Sequence, residues 1–131
     1  MPIKNRFAEL YPTIVEWRHD FHRNPELQYE LPKTAAKVAD LLRSFGCDEV
    51  VEGVGKSGVV GVIHGQVDTS RRVIGLRADM DALPIDEKSD VLYKSEVPGV
   101  MHACGHDGHT SMLLGAAPVS YTHLRAHETQ P

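Results

Sequence analysis

The apolar residues of this chain lose their helical period at Gly46, and that change limits the fold more than any other feature. Before it, Phe7, Leu10, Ile14, Trp17 and Phe21 recur at steps of three and four, the spacing of an amphipathic helix. Pro12 either begins the regular part of that helix or kinks it, and Asn24-Pro25 ends it. A second helix is predicted from about Pro32, which suits a first turn. Its apolar face is Ala35, Val38, Ala39, Leu42 and Phe45, and Gly46 is a natural stop. After Gly46 the helical period is lost. Residues 48–52 form a short strand candidate and residues 53–55 a turn. Residues 59–63 and 73–76 are short apolar runs bounded by glycine and polar residues, as in strands buried within a sheet that helices cover. Residues 80–100 are irregular, broken by Pro84 and Pro98, and a new helix is expected after Gly108, through Thr110, Met112, Leu113, Leu114 and Ala117. Helices, then strands, then a loop opening a helix predict an α/β layer with a site at strand ends.

A chain of 131 residues has room for one modest domain, and 41% hydrophobic with 24% charged residues is ordinary for a soluble globular protein. The formal charge of −4 and the lack of a basic run argue against nucleic-acid or anionic-membrane partners. The amino-terminal MPIKNRFAELYP has no apolar signal core, and no stretch approaches the roughly 20 apolar residues of a membrane span. A cytoplasmic protein is expected. In that compartment the two cysteines, Cys47 and Cys104, are better read as a ligand or a reactive thiol than as a disulfide.

Eight histidines are unevenly placed: three lie between residues 102 and 109, and two more in the last nine residues. The segment Met101-His102-Ala103-Cys104-Gly105-His106-Asp107-Gly108-His109-Thr110 offers a thiol and imidazoles, the donors preferred by zinc-like ions and suited to nickel, cobalt or iron. A Cys-x-His spacing in a glycine-containing loop lets Cys104 and His106 turn toward one ion. Asp107 could accept a hydrogen bond from an imidazole N–H. The alternative is a polar loop whose histidines cap the next helix or stand in water.

Upstream, Leu76-Arg77-Ala78-Asp79-Met80-Asp81-Ala82-Leu83-Pro84 sets two carboxylates directly after an apolar run. They could ligate a metal or orient a ligating imidazole, or merely cap a loop. Trp17-Arg18-His19-Asp20-Phe21-His22-Arg23-Asn24-Pro25-Glu26-Leu27 on its own reads as a solvated helix end. Gly53-Val54-Gly55-Lys56-Ser57-Gly58 ends like a phosphate-binding loop, but Val50 stands where that motif needs its first glycine and no clear helix follows. Nucleotide binding is not expected.

Taken together, WRHDFHRNPEL, GLRADMDALPI and MHACGHDGHTSMLLGAA closely resemble the metal-dependent aminoacylase-like amidohydrolases and metallopeptidases. That family includes hippurate hydrolase, hydrolases of indoleacetic-acid amino-acid conjugates and N-acetyl-diaminopimelate deacetylase. The likeness runs in order from about Phe7 to Ala117. It implies the amino-terminal part of a catalytic domain, of α/β class, with a mixed, mostly parallel sheet flanked by helices and incomplete here. In the full-length protein a smaller dimerisation domain and a homo-oligomer are implied.

The resemblance makes Cys104 and His106 metal ligands and sets Asp81 beside the metals, holding the ligand shell. Asp79 and His109 match the motifs without an implied ligand role, and Arg18, His22, Pro25 and Glu26 match a signature read as architectural. The implied cofactor is a pair of divalent ions (Zn, Mn, Ni or Co), and the implied substrate a small N-acyl amino acid. Its amide would be cleaved by a metal-activated water whose proton passes to a glutamate well downstream. That glutamate and the remaining ligands, a further glutamate and two histidines, have no counterpart in these residues, so the chain alone is expected to be inactive. A small metal-binding module without catalysis is the alternative.

The carboxy-terminal stretch departs from this pattern. Pro118 is expected to interrupt the last helix, and SYTHLRAHETQP is polar and aperiodic, like translated read-through at the end of a truncated reading frame. Residues 1–117 are therefore assigned to the catalytic domain and 118–131 to a non-native tail. HLRAHE lacks the glutamate that would follow the first histidine in a zinc-hydrolase motif, so His123, His127 and Glu128 are not expected to be ligands.

Overall fold

A computed structural model describes residues 2–67 and 69–126. In chain order these form α1 (Ile3–Arg23), α2 (Pro32–Ser44), β1 (Glu49–Val54), β2 (Gly58–Val62) and α3 (His106–Ala126). The α/β class agrees with the sequence expectation. Helix α1 begins before Pro12 and passes through it. Asn24 stops it, its side-chain amide donating back to the Asp20 carbonyl at 2.9 Å. No side chain of Leu31 caps α2, yet its first N–H groups are satisfied: Glu26 accepts from Thr34 N–H at 2.7 Å and from Lys33 N–H at 3.3 Å. The architectural role assigned to Glu26 has this physical form. At the other end Gly46 adopts φ +89°, a left-handed conformation that costs a glycine little.

Trp17 and Phe21 of α1, Val38 and Leu42 of α2 and Leu114 of α3 form the core. Each such side chain taken out of water contributes on the order of 1.5–3 kcal/mol. Helices α1 and α3 approach closely at Gly115, where a Cβ would stand 2.6 Å from the Ile14 methyl.

Three local expectations change. The sheet among the described residues is a two-stranded antiparallel hairpin, Glu49 opposite Val62 and Val54 opposite Gly58, and so not a mostly parallel sheet. Residues 73–76, read as a buried strand, have no ladder partner among the described residues; Val73 is 93% and Ile74 86% exposed. An apolar run becomes a strand only where a neighbour takes its N–H and C=O groups. Helix α3, expected to begin after Gly108 and stop at Pro118, instead begins at His106 and runs through Pro118 to Ala126. Pro118 has no N–H for the Leu114 carbonyl, but burial of Val119 in the same turn offsets that loss. The phosphate-loop lookalike spans the end of β1, the hairpin turn and the start of β2, with Gly53 and Gly55 at positive φ and no helix directly following. Among the described residues no helix is long and apolar enough to cross a membrane.

Candidate metal centre

Two backbone clamps bring the sequence motifs together. Ala82 N–H donates to the Glu26 carbonyl at 2.8 Å, while Leu83 and Met101 exchange N–H···O bonds at 2.9 and 3.0 Å. The strand-end motif is thus held between the amino-terminal signature and the histidine loop. Gly105, at φ +91°, turns that loop into the first turn of α3, where the Gly108 and His109 N–H groups donate to its carbonyl. Thr110 fastens the other side, its hydroxyl donating to the Asp79 carbonyl at 2.8 Å.

The result sets Asp79, His106 and His109 so that one donor atom from each lies within 4.8 Å of the others. His106 Nδ1 is 2.9 Å from the Asp81 carbonyl and 3.0 Å from its carboxylate, two acceptors that call for an N–H there. The lone pair is then left on Nε2, which faces the Asp79 carboxylate at 3.5 Å. His109 Nδ1 meets the other Asp79 oxygen at 3.0 Å. The hydrogen bond from His109 is the main reason that the Asp79 carboxyl sits below its ordinary range. A lone pair facing a carboxylate is an unfavourable pairing of two acceptors, and a cation between them turns it favourable. The donor set fits a divalent ion of the zinc-like class.

Of the expected site residues, His106 is in this cluster and Asp81 orients it. Cys104 is an exposed free thiol two residues away, outside the cluster among the described residues. Asp79 and His109, left without a ligand role by the sequence, are the other two members of the cluster.

Behind the cluster lies a buried ionic network. Asp107 accepts from Arg18 Nε at 3.1 Å and from His22 Nδ1 at 2.8 Å. His22 Nε2 meets Glu87 at 2.9 Å, and Glu87 also accepts from Ser95 N–H at 2.8 Å and from the Ser89 hydroxyl. Asp107 does accept from an imidazole, as expected, but the ring belongs to α1 rather than to a ligand. Burial opposes ionisation of Glu87, yet the Ser89, Ser95 and His22 donors outweigh it and hold its pKa at about 2. Asp107 is likewise pulled below its ordinary range, its burial overcome by His22, His102 and Arg18. Tyr93 lies over His19 with ring centroids 3.9 Å apart and accepts from Arg18 at 3.3 Å, fastening the 90s loop to α1. His102 is buried with neither ring nitrogen partnered among the described residues, and desolvation lowers its pKa. Sequence reasoning missed Glu87, Tyr93 and Ser95. They sit in a polar, aperiodic stretch with no spacing signal.

Residues 75–131 match the family model described as "Peptidase family M20/M25/M40". The chain belongs to this family. It is 55% identical over 109 residues to hippurate hydrolase of Campylobacter jejuni, covering 83% of this chain and 28% of that protein. Identity to thermostable carboxypeptidase 2 of Saccharolobus solfataricus is 51% over 116 residues, 88% of this chain and 29% of that one. The crystal structure of the Bacillus subtilis YXEP protein, titled a dinuclear metal binding peptidase of the M20 family, superimposes with a TM-score of 0.82 at 35% identity. That match covers 89% of this chain and 32% of the other. The chain therefore spans about a third or less of the relatives it matches.

Proposed function

We propose that this M20-family chain carries part of the metal centre of an amidohydrolase that cleaves N-acyl amino acids in the cytoplasm. The observation that carries the reading is the facing pair at 3.5 Å, His106 Nε2 and the Asp79 carboxylate, with His106 Nδ1 held by Asp81. The names of relatives support the substrate class: hippurate hydrolase, and an N-acyl-L-amino acid amidohydrolase of Geobacillus stearothermophilus that is 45% identical over 123 residues. His106 and Asp79 would hold the first of two divalent ions (Zn, Mn, Ni or Co). His109 supports Asp79, and Cys104, two residues before His106, would be a further ligand, as the resemblance of the loop motif implies. Such ions, when bound, polarise an acyl carbonyl and lower the pKa of a water. The residues of this chain do the holding: Asp81 fixes the His106 tautomer, and Thr110 anchors the Asp79 backbone. The remaining ligands and the proton-accepting carboxylate belong to a longer protein of which residues 1–117 are the amino-terminal part. By itself the 131-residue chain is then inactive.

The test is hydrolysis by the longer protein. With a divalent metal it should release free amino acid from N-acetyl or N-benzoyl amino acids. His106→Ala should lower kcat/KM at least as far as the 10–100-fold typical of losing a residue that merely supports a ligand. Adding Zn2+ should also slow alkylation of Cys104, read by peptide mass spectrometry. Activity untouched by chelation and by His106→Ala would end the proposal, and Cys104 alkylation indifferent to Zn2+ would remove it from the ligand set.

A further inference from the structure

The chemistry proposed above uses neither Arg18, His22 nor Glu87, yet these residues join Asp107 in one connected polar network. His22 is buried, and both its ring nitrogens are taken, Nδ1 by Asp107 at 2.8 Å and Nε2 by Glu87 at 2.9 Å. Both partners are buried as well. Three segments far apart in sequence are thereby tied at one ring: the last turns of α1, the 87–95 loop and the first turn of α3.

The helical geometry of that first turn gives the tie its consequence. Successive residues are rotated by about 100° around a helix of 3.6 residues per turn, so His106 and His109 point within roughly 60° of each other. Their rings are stacked with centroids 5.5 Å apart. Asp107 is turned about 100° from His106 and about 160° from His109, toward the protein interior. A rotation of the turn that carried Asp107 off His22 would carry both imidazoles off Asp79. The carboxylate on one side and the two rings on the other are coupled through a single turn of backbone. The Ser111 hydroxyl, donating to the Asp107 carbonyl at 2.7 Å, stiffens that turn.

We infer that His22 is a positioning residue for the metal loop: by holding Asp107 and Glu87 it sets the rotation of the first turn of α3, and so the aim of His106 and His109. The inference rests on the metal reading above. It turns the amino-terminal signature from a general architectural element into the support of the donor cluster. Arg18, donating to the same Asp107 oxygen at 3.1 Å, shares the task from the solvent side.

Co2+ alone is the probe, titrated into the purified protein and followed by visible absorption, whose bands report ligand geometry as well as occupancy. His22→Gln, checked for retained helix by circular dichroism, should bind Co2+ about 10- to 100-fold more weakly, with shifted bands. Glu87→Gln keeps the shape and an acceptor, so its loss should be smaller and in the same direction. A folded His22→Gln with wild-type affinity and unchanged bands would overturn the inference while leaving the metal reading intact. Should His22→Gln fail to fold, Glu87→Gln decides: weakened binding sustains the inference and wild-type binding overturns it. A wild-type protein that ignores Co2+ overturns the metal reading, and this inference with it.

Discussion

The two sides of the histidine loop are built on opposite plans. On the inner side Asp107 is 1% exposed, with Arg18 and His22 on its carboxylate and the Trp17–Phe21–Leu114 core next to it. On the outer side Asp79 and Asp81 keep 30% and 39% of their side-chain exposure, and an apolar groove of about 1060 Å3 opens beside them, lined by Val59, Ile74, Leu76 and Met80 among others. The same residue type thus meets two dielectric surroundings a few residues apart. Inside, a carboxylate must be fully paired to exist; outside, it can wait for a cation. The donor cluster is open because the support beneath it is closed.

Asp107→Ala against Asp81→Ala should break or uphold this contrast with the largest effect. Removing Asp107 leaves the buried His22 facing Glu87 alone and strips Arg18 of its interior partner. The loss of a buried pair's acceptor costs about 3–5 kcal/mol. Removing Asp81 breaks a part-exposed pair, worth up to about 1 kcal/mol. Urea titrations of the two variants measure the difference. Equal losses would mean that the inner network is not tighter than the outer cluster.

Acid should reveal the same asymmetry more gently. Glu87, held at about 2, has a folded pKa below its ordinary 4.5, and Asp107 is shifted the same way. A depressed carboxylate contributes stability that is fully present above the unfolded pKa and is lost as pH falls through the folded one. Unfolding free energy should therefore fall between about pH 4.5 and pH 2. Glu87→Gln should flatten that fall, read from urea midpoints at stepped pH. An unchanged acid profile would show that Glu87 is not the group responsible.

Much of the frame was legible because it is local. Trp17, Phe21, Val38 and Leu42 announce their helices by period alone, and all four reach the core. His106 was legible because few loops combine such donors. Contacts that span long stretches of chain were not. Glu87 stands in the run Asp86-Glu87-Lys88-Ser89-Asp90, which reads as solvated, and its burial is made tolerable by donors that folding gathers around it, Ser89, Ser95 and, from 65 residues away, His22. Residues 73–76 misled for the converse reason: their β-branched composition fits a strand, but a strand also needs a neighbour. Pro118 misled because a local breaker yields when the next turn has a buried surface to reach, as Val119 does. Cys104 and His109 were weighed by chemical type, whereas membership of the cluster depends on which way the Gly105 turn aims each side chain.

His102 is the exception on the inner side, and it gives the smallest and sharpest test. It lies 5% exposed, its ring centroid 6.5 Å from that of His22, and neither nitrogen has a partner among the described residues. A buried polar group without a hydrogen bond costs roughly 1–3 kcal/mol, and an apolar group of similar size avoids that cost. His102→Leu should then leave stability unchanged or raise it by up to about 1 kcal/mol, against a small loss from imperfect packing. Thermal unfolding of the protein measures it. A loss above about 2 kcal/mol would mean that the imidazole is satisfied in the folded protein after all. The inner side would then have no exception, and the ring would be another member of the network that His22 organises.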